Sequence, residues 1–146
     1  MTAEYKNKNR GYQQLRVWRE AIEFYRLNCR VFGKFSYQLS RVAAQAIGSS
    51  DSVHRNIAEG YCRRSREYLN FLNSALGSLG ESVSGLEAYR RAEQIKEDDF
   101  KVLNELAYKL ENGLLKLVES LERKKMTGNW IDTLIVKETN ALYGKD

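Results

Sequence analysis

Four stretches of the chain repeat apolar side chains at alternating steps of three and four residues, and that spacing calls for helices laid side by side. Leu15, Trp18, Ile22, Tyr25, Cys29 and Phe32 form the first set, and Leu39, Ala43, Ala46, Ser50, Val53 and Ile57 the second. Leu69, Leu72, Leu76, Leu79, Val83 and Leu86 form the third, and Phe100, Leu103, Ala107, Leu110, Leu114, Leu117 and Leu121 the fourth. Each set marks one face of an α-helix with the period of a bundle seam. No segment shows comparable strand alternation. The chain holds ten glycines and no proline; sandwiches and barrels punctuate their turns heavily, whereas a proline-free chain can run long helices. The spacing predicts helices over 13–32, 37–63, 66–94 and 98–125. At about 1.5 Å per residue these are roughly 30–44 Å long, so an all-α, antiparallel up-down four-helix bundle with short links is the economical arrangement.

Gly33 and Lys34 are expected to break the first helix, Ser36 to cap the second and Ser65 the third. Glu97, Asp98 and Asp99 suit the positive end of the fourth helix, and Arg123, Lys124 and Lys125, followed by Gly128, suit its negative end. The inward positions of the second helix are small (Ala43, Ala46, Ser50, with Ala44 and Gly48 close by), which lets a neighbouring helix approach closely. The 146 residues then divide into a polar arm at 1–12, one bundle domain at 13–125 and an apolar-rich tail at 126–146. The tail, built around Trp130, Ile131, Leu134, Ile135 and Val136, should dock on its own bundle or on a neighbouring subunit; both options stay open at this point.

Composition narrows the function. The chain is 42% hydrophobic and 29% charged, ordinary for a protein that buries a core. No run approaches 18 consecutive apolar residues, so no membrane span is expected, and the polar start MTAEYKNKNRGYQQ lacks the apolar run of a secretion signal. Two cysteines, Cys29 and Cys62, are too few for a disulfide scaffold and suit a reducing interior. A cytoplasmic location is the expectation.

Enzyme chemistry finds little support. The one histidine, His54, falls in mid-helix, and Cys62 lies eight residues on, about 12 Å of helical rise away. A structural zinc site needs four Cys or His ligands, and the chain has three, widely spaced. Gly77, Gly80 and Gly85 sit inside the third helical pattern with no strand before them, so they are not a phosphate-cradling loop; they are expected instead to permit tight helix contact. Cys62 beside Arg63 and Arg64 has the setting of an activated thiolate, but an ordinary half-buried cysteine is the simpler reading. No catalytic residue, metal ligand or cofactor site is assigned, and the chain reads as a non-enzyme.

Charge points elsewhere. Residues 1–75 carry thirteen Lys or Arg against six Asp or Glu, a net +7, while residues 76–146 carry eleven against thirteen, a net −2. A basic half of this kind suits a polyanion, although solvated helical faces often look alike. Arg41, Arg55, Arg63, Arg64 and Arg66 come from the second helix and its turn; Arg16, Arg19, Arg26 and Arg30 come from the first. Tyr12, Tyr61 and Tyr68 offer stacking to bases, against the simpler reading that they pack at the bundle rim. No helix-turn-helix, zinc-finger or RNA-recognition signature accompanies the basic patch, so binding is expected to follow shape and charge. The competing reading is a structural or adaptor oligomer that binds a protein.

One segment is far more specific than any of these. Asn56-Ile57-Ala58-Glu59-Gly60-Tyr61-Cys62-Arg63-Arg64-Ser65, with Leu15-x-Val17-Trp18 upstream and Phe71-Leu72-x-x-Ala75-Leu76-Gly77-Ser78-Leu79-x-Glu81 downstream, resembles the four-helix-bundle family encoded in 23S rRNA intervening sequences. The likeness spans roughly residues 13–122. It implies an antiparallel four-helix bundle assembled as a ring-shaped homopentamer around a central channel. It also implies a distant similarity to the accessory proteins of diversity-generating retroelements, which are associated with nucleic acid and reverse transcriptase; a reverse transcriptase is therefore the kind of protein partner the adaptor reading has in view. On this likeness Trp18, Asn56, Glu59, Gly60, Gly77, Ser78 and Glu81 are motif or assembly residues. The chain departs from the family where Ser52-Val53-His54-Arg55 replaces a common Ser-Ile-Pro-Ser, which removes an expected kink. Two arginines common just upstream are replaced around Ile47-Gly48. Within the motif, Glu59 precedes Arg63 by four residues, the favourable order for an intrahelical pair of about 0.3–0.5 kcal/mol. Asn56 and Glu59 are alternatively placed to reach a neighbouring helix, and Gly60 to permit close approach or a bend.

Overall fold

The computed structural model describes residues 7–63 and 66–127. Among the described residues the protein is helical throughout, with no strand. A 3-10 helix at Lys8–Gln14 leads into α1 (Arg16–Phe32), and a short 3-10 turn at Tyr37–Leu39 leads into α2 (Ser40–Arg63), followed by α3 (Glu67–Arg91) and α4 (Glu97–Met126). The first 3-10 helix lies across the 12/13 division drawn from the sequence and packs on α1 and α2. Ser65 and the tail beyond Thr127 lie outside the described residues.

The helices pack round one core. α1 and α3 each lie against both α2 and α4. Three of the four stripes point inward much as their spacing requires. Ala46, Ser50, Val53 and Ile57 are buried on α2, as are Leu69, Leu72, Leu79 and Leu86 on α3. On α4 Leu103, Ala107, Leu110, Leu114, Leu117 and Leu121 are buried, with Phe100 half-buried.

α1 is the exception. Its buried residues are Val17, Ala21, Phe24, Asn28 and Phe32, preceded by Leu15, while Trp18, Ile22, Tyr25 and Cys29 are only half-buried. The helix carries two adjoining apolar stripes, and the core takes the one that reads as interrupted in the sequence. The interruption is Asn28, which is 1% exposed. Its amide Nδ2 donates to the Phe24 carbonyl one turn back at 2.9 Å, so its burial leaves that donor satisfied.

Helix ends follow local chemistry. Glu97, Asp98 and Asp99 occupy the first turn of α4 and Arg123, Lys124 and Lys125 its last, complementing the helix dipole. α3 ends earlier than its pattern suggests because Glu93 adopts φ 58°. The Gln94 amide then reaches the Tyr89 carbonyl at 2.8 Å and the Glu93 amide that of Arg90 at 3.0 Å, a Schellman closure. Ser36 corrects an expectation: it precedes the 3-10 turn, its side chain makes no capping bond, and α2 begins only at Ser40. The tight turn after Phe35 is closed by backbone bonds instead, including the Leu39 amide to the Ser36 carbonyl at 3.0 Å.

The closest pairing is α2 with α3, where small side chains let the helices meet through hydroxyls. Ser49 and Ser82, both buried, share a hydrogen bond of 2.7 Å, and Ser52 and Ser78 one of 2.8 Å. At the far end of α2, a Cβ placed on Gly60 would lie 2.7 Å from Phe71 Cβ and 3.1 Å from Tyr68 Cδ1. Only glycine fits that approach.

Candidate nucleic-acid interface

The start of α1, the end of α2 and the start of α3 come together at one end of the molecule. Tyr12 lies edge-on against Trp18 at 5.3 Å and against Tyr61 at 6.3 Å, and Tyr61 meets Tyr68 at 6.1 Å. The Cys62 thiol donates to the Asn9 carbonyl at 3.2 Å. This aromatic cluster brings Arg16, Arg19, Arg63 and Arg66 to the same end, and the 3-10 helix adds Lys8 and Arg10. α4 reaches it too: Gly113 lies against Val17 and Lys109 against Glu20, so the run Arg123–Lys125 continues past the start of α1. Four of the other named arginines are not brought in: Arg26 and Arg30 lie about 15 and 21 Å along α1 from Arg16. Arg55 sits two turns back from Arg63, and Arg41, 22 residues from Arg63, is about 33 Å away along α2. Arg64 lies outside the described residues.

The cations at this end differ in how far they are committed. Arg63 bridges Glu59 at 2.8 Å and Glu67 at 3.1 Å and lies over the Phe71 ring, 5.1 Å from its centroid. The Glu59–Arg63 pair expected from spacing is therefore formed. Arg19 Nη1 donates to the carbonyls of Gln14 at 2.9 Å and Gln13 at 3.4 Å, closing the 3-10 helix without an ion pair to a described carboxylate. Arg16 and Arg66 are exposed and make no ion pair among the described residues. Exposed pairs such as Glu59–Arg63 contribute about 1 kcal/mol or less, so a phosphate can compete for Arg63 as well.

The sequence pattern of the 23S rRNA-intervening sequence protein family matches residues 13–116, a stretch that holds all of α1–α3 and most of α4. The chain belongs to that family. No curated protein matches it.

In this member of the 23S rRNA-intervening sequence proteins, several motif residues fasten α2 to α3. Asn56 Nδ2 donates to the Ser52 carbonyl at 2.9 Å and to its hydroxyl at 3.0 Å. Ser52 in turn holds Ser78, so Asn56 and Ser78 belong to one polar chain across the two helices. Gly60 permits the close approach just described. Trp18 is half-buried, and its indole Nε1 is buried with no hydrogen-bond partner among the described residues.

Two expectations need correction. Gly77 and Gly80 do not mediate tight helix contact within the chain, since a Cβ on either would meet nothing within 4 Å; at Gly85 its nearest neighbours would be atoms of Tyr89 on the same helix. Gly77 and Glu81 are instead exposed, and Glu81 lines an open cleft of about 390 Å³ with Arg41, Ala44, Gly48 and Ser78. Base stacking on Tyr61 and Tyr68 is not available either, because the two residues are buried, 9% and 4% exposed; they pack, as the simpler reading had it. Sequence reasoning also missed Ser49, Ser82 and Asn28. Ser82 continues the α3 spacing Ala75–Leu79–Ser82–Leu86, so position alone could have found it.

His54 and Cys62 do not meet. His54 Nε2 contacts Asp51 Oδ1 at 2.8 Å, while Cys62 bonds to Asn9. No group of three or more His, Cys, Asp or Glu residues among the described residues could hold a metal ion, and no described helix is long and apolar enough to cross a membrane. Burial pushes the Asp51 carboxyl up, but hydrogen bonds from Arg55 (2.6 Å) and His54 outweigh it and hold the group below its ordinary value. A depressed carboxylate stabilises the fold above its unfolded pKa and loses that contribution as pH falls through the folded value. Asp51→Asn should therefore cost about 1 kcal/mol in urea unfolding at pH 7. The gap from wild type should close as pH drops below about 3.9; an equal gap at pH 7 and pH 3 would contradict it.

Proposed function

We propose that this 23S rRNA-intervening sequence protein is a non-enzymatic, cytoplasmic oligomer that binds nucleic acid, RNA or DNA, through its cationic end without strong sequence specificity. The observation that carries the reading is the gathering of Arg16, Arg19, Arg63 and Arg66 by the Tyr12–Trp18–Tyr61–Tyr68 cluster. An antiparallel, up-down course for the four helices supports it, because only that course lets basic residues from α1, α2, α3 and the last turn of α4 share one end. The contacts Ser49–Ser82 and Ser52–Ser78, Tyr12–Tyr61 and Tyr25–His54, and Val17–Gly113 and Glu20–Lys109 are all in that sense. In a homopentamer, the assembly the family resemblance implies, five such ends form one extended polycation. Phosphate contacts then dominate, and affinity falls steeply with salt.

Labelled RNA and duplex DNA titrated at about 50 and 200 mM salt test this. Binding should be tight at low salt. Arg16→Glu/Arg66→Glu should weaken it by at least about tenfold and flatten the salt slope by about two, whereas Arg41→Glu, some 33 Å along α2, should change it little. No binding at low salt to either nucleic acid would end the reading. The same samples, weighed by sedimentation, should contain five copies of the 16.9 kDa chain; a single-chain mass would exclude the pentamer.

One observation favours the adaptor reading. The cleft between α2 and α3 is lined by Gly48 and Ser78, Gly77 is exposed next to Ser78 in sequence, and a Cβ on either glycine meets nothing within 4 Å. Such a face accepts a helix from a protein partner at close range. In that case a partner protein, such as a reverse transcriptase, would be captured by the wild-type chain and lost with Gly48→Leu/Gly77→Leu.

A further inference from the structure

A second opening lies between α1 and α4. It is a groove of about 350 Å³, within the range of small-ligand sites. Its floor is aliphatic, from Leu15 and Leu117, and Arg16, Lys109 and Lys116 stand around it. Among these cations sits one carboxylate, Glu20, whose side chain is only 12% exposed. Its ion pair with Lys109 is loose, at 3.5 Å, longer than the 2.7–2.9 Å of a closed charge-assisted bond. The carboxylate therefore keeps acceptor capacity facing the groove. Gly113 lets α4 pass close to α1 beside the groove: a Cβ there would lie 2.9 Å from Val17 Cγ1 and 3.8 Å from Glu20 Oε1.

A little-hydrated carboxylate set among cations is a poor site for phosphate alone and a good one for a group that is a hydrogen-bond donor at one end and an anion at the other. We propose that the α1–α4 groove is a guanine subsite of the nucleic-acid surface, taking one unpaired guanine of a single strand. The Glu20 carboxylate accepts from guanine N1–H and N2–H, and Arg16 and Lys116 hold the flanking phosphates. Guanine is selected because its Watson–Crick edge presents two adjacent donors to the two carboxylate oxygens. Adenine and cytosine each place a ring-nitrogen acceptor beside their amine, which the carboxylate repels, and uracil flanks its single N–H with carbonyls. The proposal rests on the nucleic-acid reading and adds base preference to it. Arg16, already at the cationic end, joins the groove to that surface.

The test compares labelled oligouridylates of equal length that carry a single central guanosine, inosine or uridine. The guanosine strand should bind about tenfold more tightly than all-uridine, the scale of one bidentate base contact, and inosine, which lacks the 2-amino group, should fall between them. Glu20→Gln should bring the guanosine-to-uridine ratio down to about one. Equal binding of all three strands by wild type would overturn the subsite and leave the nucleic-acid reading standing; no binding of any strand at low salt would overturn both. Without any variant, GMP added to the wild-type chain should shift the methyl resonances of Leu15, Val17 and Leu117, and UMP at the same concentration should not. A GMP shift unaccompanied by any guanosine preference in the strands would make the groove a free-nucleotide site and overturn the proposal as stated.

Discussion

Phe24→Ala is expected to cost about 3–5 kcal/mol, the usual penalty for emptying a buried phenylalanine site, while Tyr25→Ala costs about 1 kcal/mol. Phe24 is wholly buried in the centre of α1. Tyr25 stands at the α1–α2 margin, its ring 5.6 Å from that of His54 and half open to solvent. For a chain of this length each kcal/mol lowers Tm by roughly 2–4 °C, so the first variant should melt about 10 °C below wild type and the second within a few degrees of it. Guanidinium unfolding followed by far-UV circular dichroism, at one protein concentration because assembly adds to apparent stability, reads both. The order matters more than the magnitudes. The plain three-four spacing of α1 places Tyr25 inward and leaves Phe24 beside the stripe; a larger loss at Tyr25 would restore that reading and reject the observed rotation of the helix.

Gly60→Ala is expected to destabilise by about 2–3 kcal/mol, in the range of core overpacking, while Gly77→Ala stabilises by up to about 1 kcal/mol. Both glycines lie within helices and both gain the same methyl group, with the same improvement in helix propensity. They differ in what the methyl meets. At Gly60 it falls 2.7 Å from Phe71 Cβ, an atom tied directly to the α3 backbone, and 3.3 Å from the Tyr68 carbonyl. Neither neighbour can swing aside, so α2 and α3 must part at the turn that holds the aromatic cluster. Because that cluster sets the positions of Arg16, Arg19 and Arg63, nucleic-acid affinity should drop with stability in Gly60→Ala and stay unchanged in Gly77→Ala. Equal stability of the two variants in urea would mean that the close approach at Gly60 carries no energetic weight.

Much of the site was legible along the chain. The excess of basic residues in the first half, the intrahelical Glu59–Arg63 pair and the special position of Gly60 all follow from composition or from spacing within one helix. Grouping was less legible. The nine arginines look equivalent as a list, yet Arg41 ends about 33 Å from Arg63 because nearly the whole length of α2 separates them. The role of Asn56 was open between subunit contact and local structure; its amide goes to Ser52, one turn back, and only the pairing of Ser52 with Ser78 on α3 makes that bond part of a link between helices. Glu20 and Lys109, on helices far apart in the chain, carried no sequence signal at all.

The sequence by itself determined the helices, most of their ends, three of the four buried faces and the family, because each of these depends on residues within a few turns of one another. The tertiary structure alone decided which of α1's adjoining stripes turns inward, which glycines are sterically required and which arginines share an end. Periodicity specifies a helical face only to within a neighbouring position, and a buried Asn28 bonded to its own helix disguises the true one. The remaining choices are made by atoms on other helices: Phe71 against Gly60, Val17 against Gly113, Tyr61 against Tyr12. Those contacts exist only once the helices have packed.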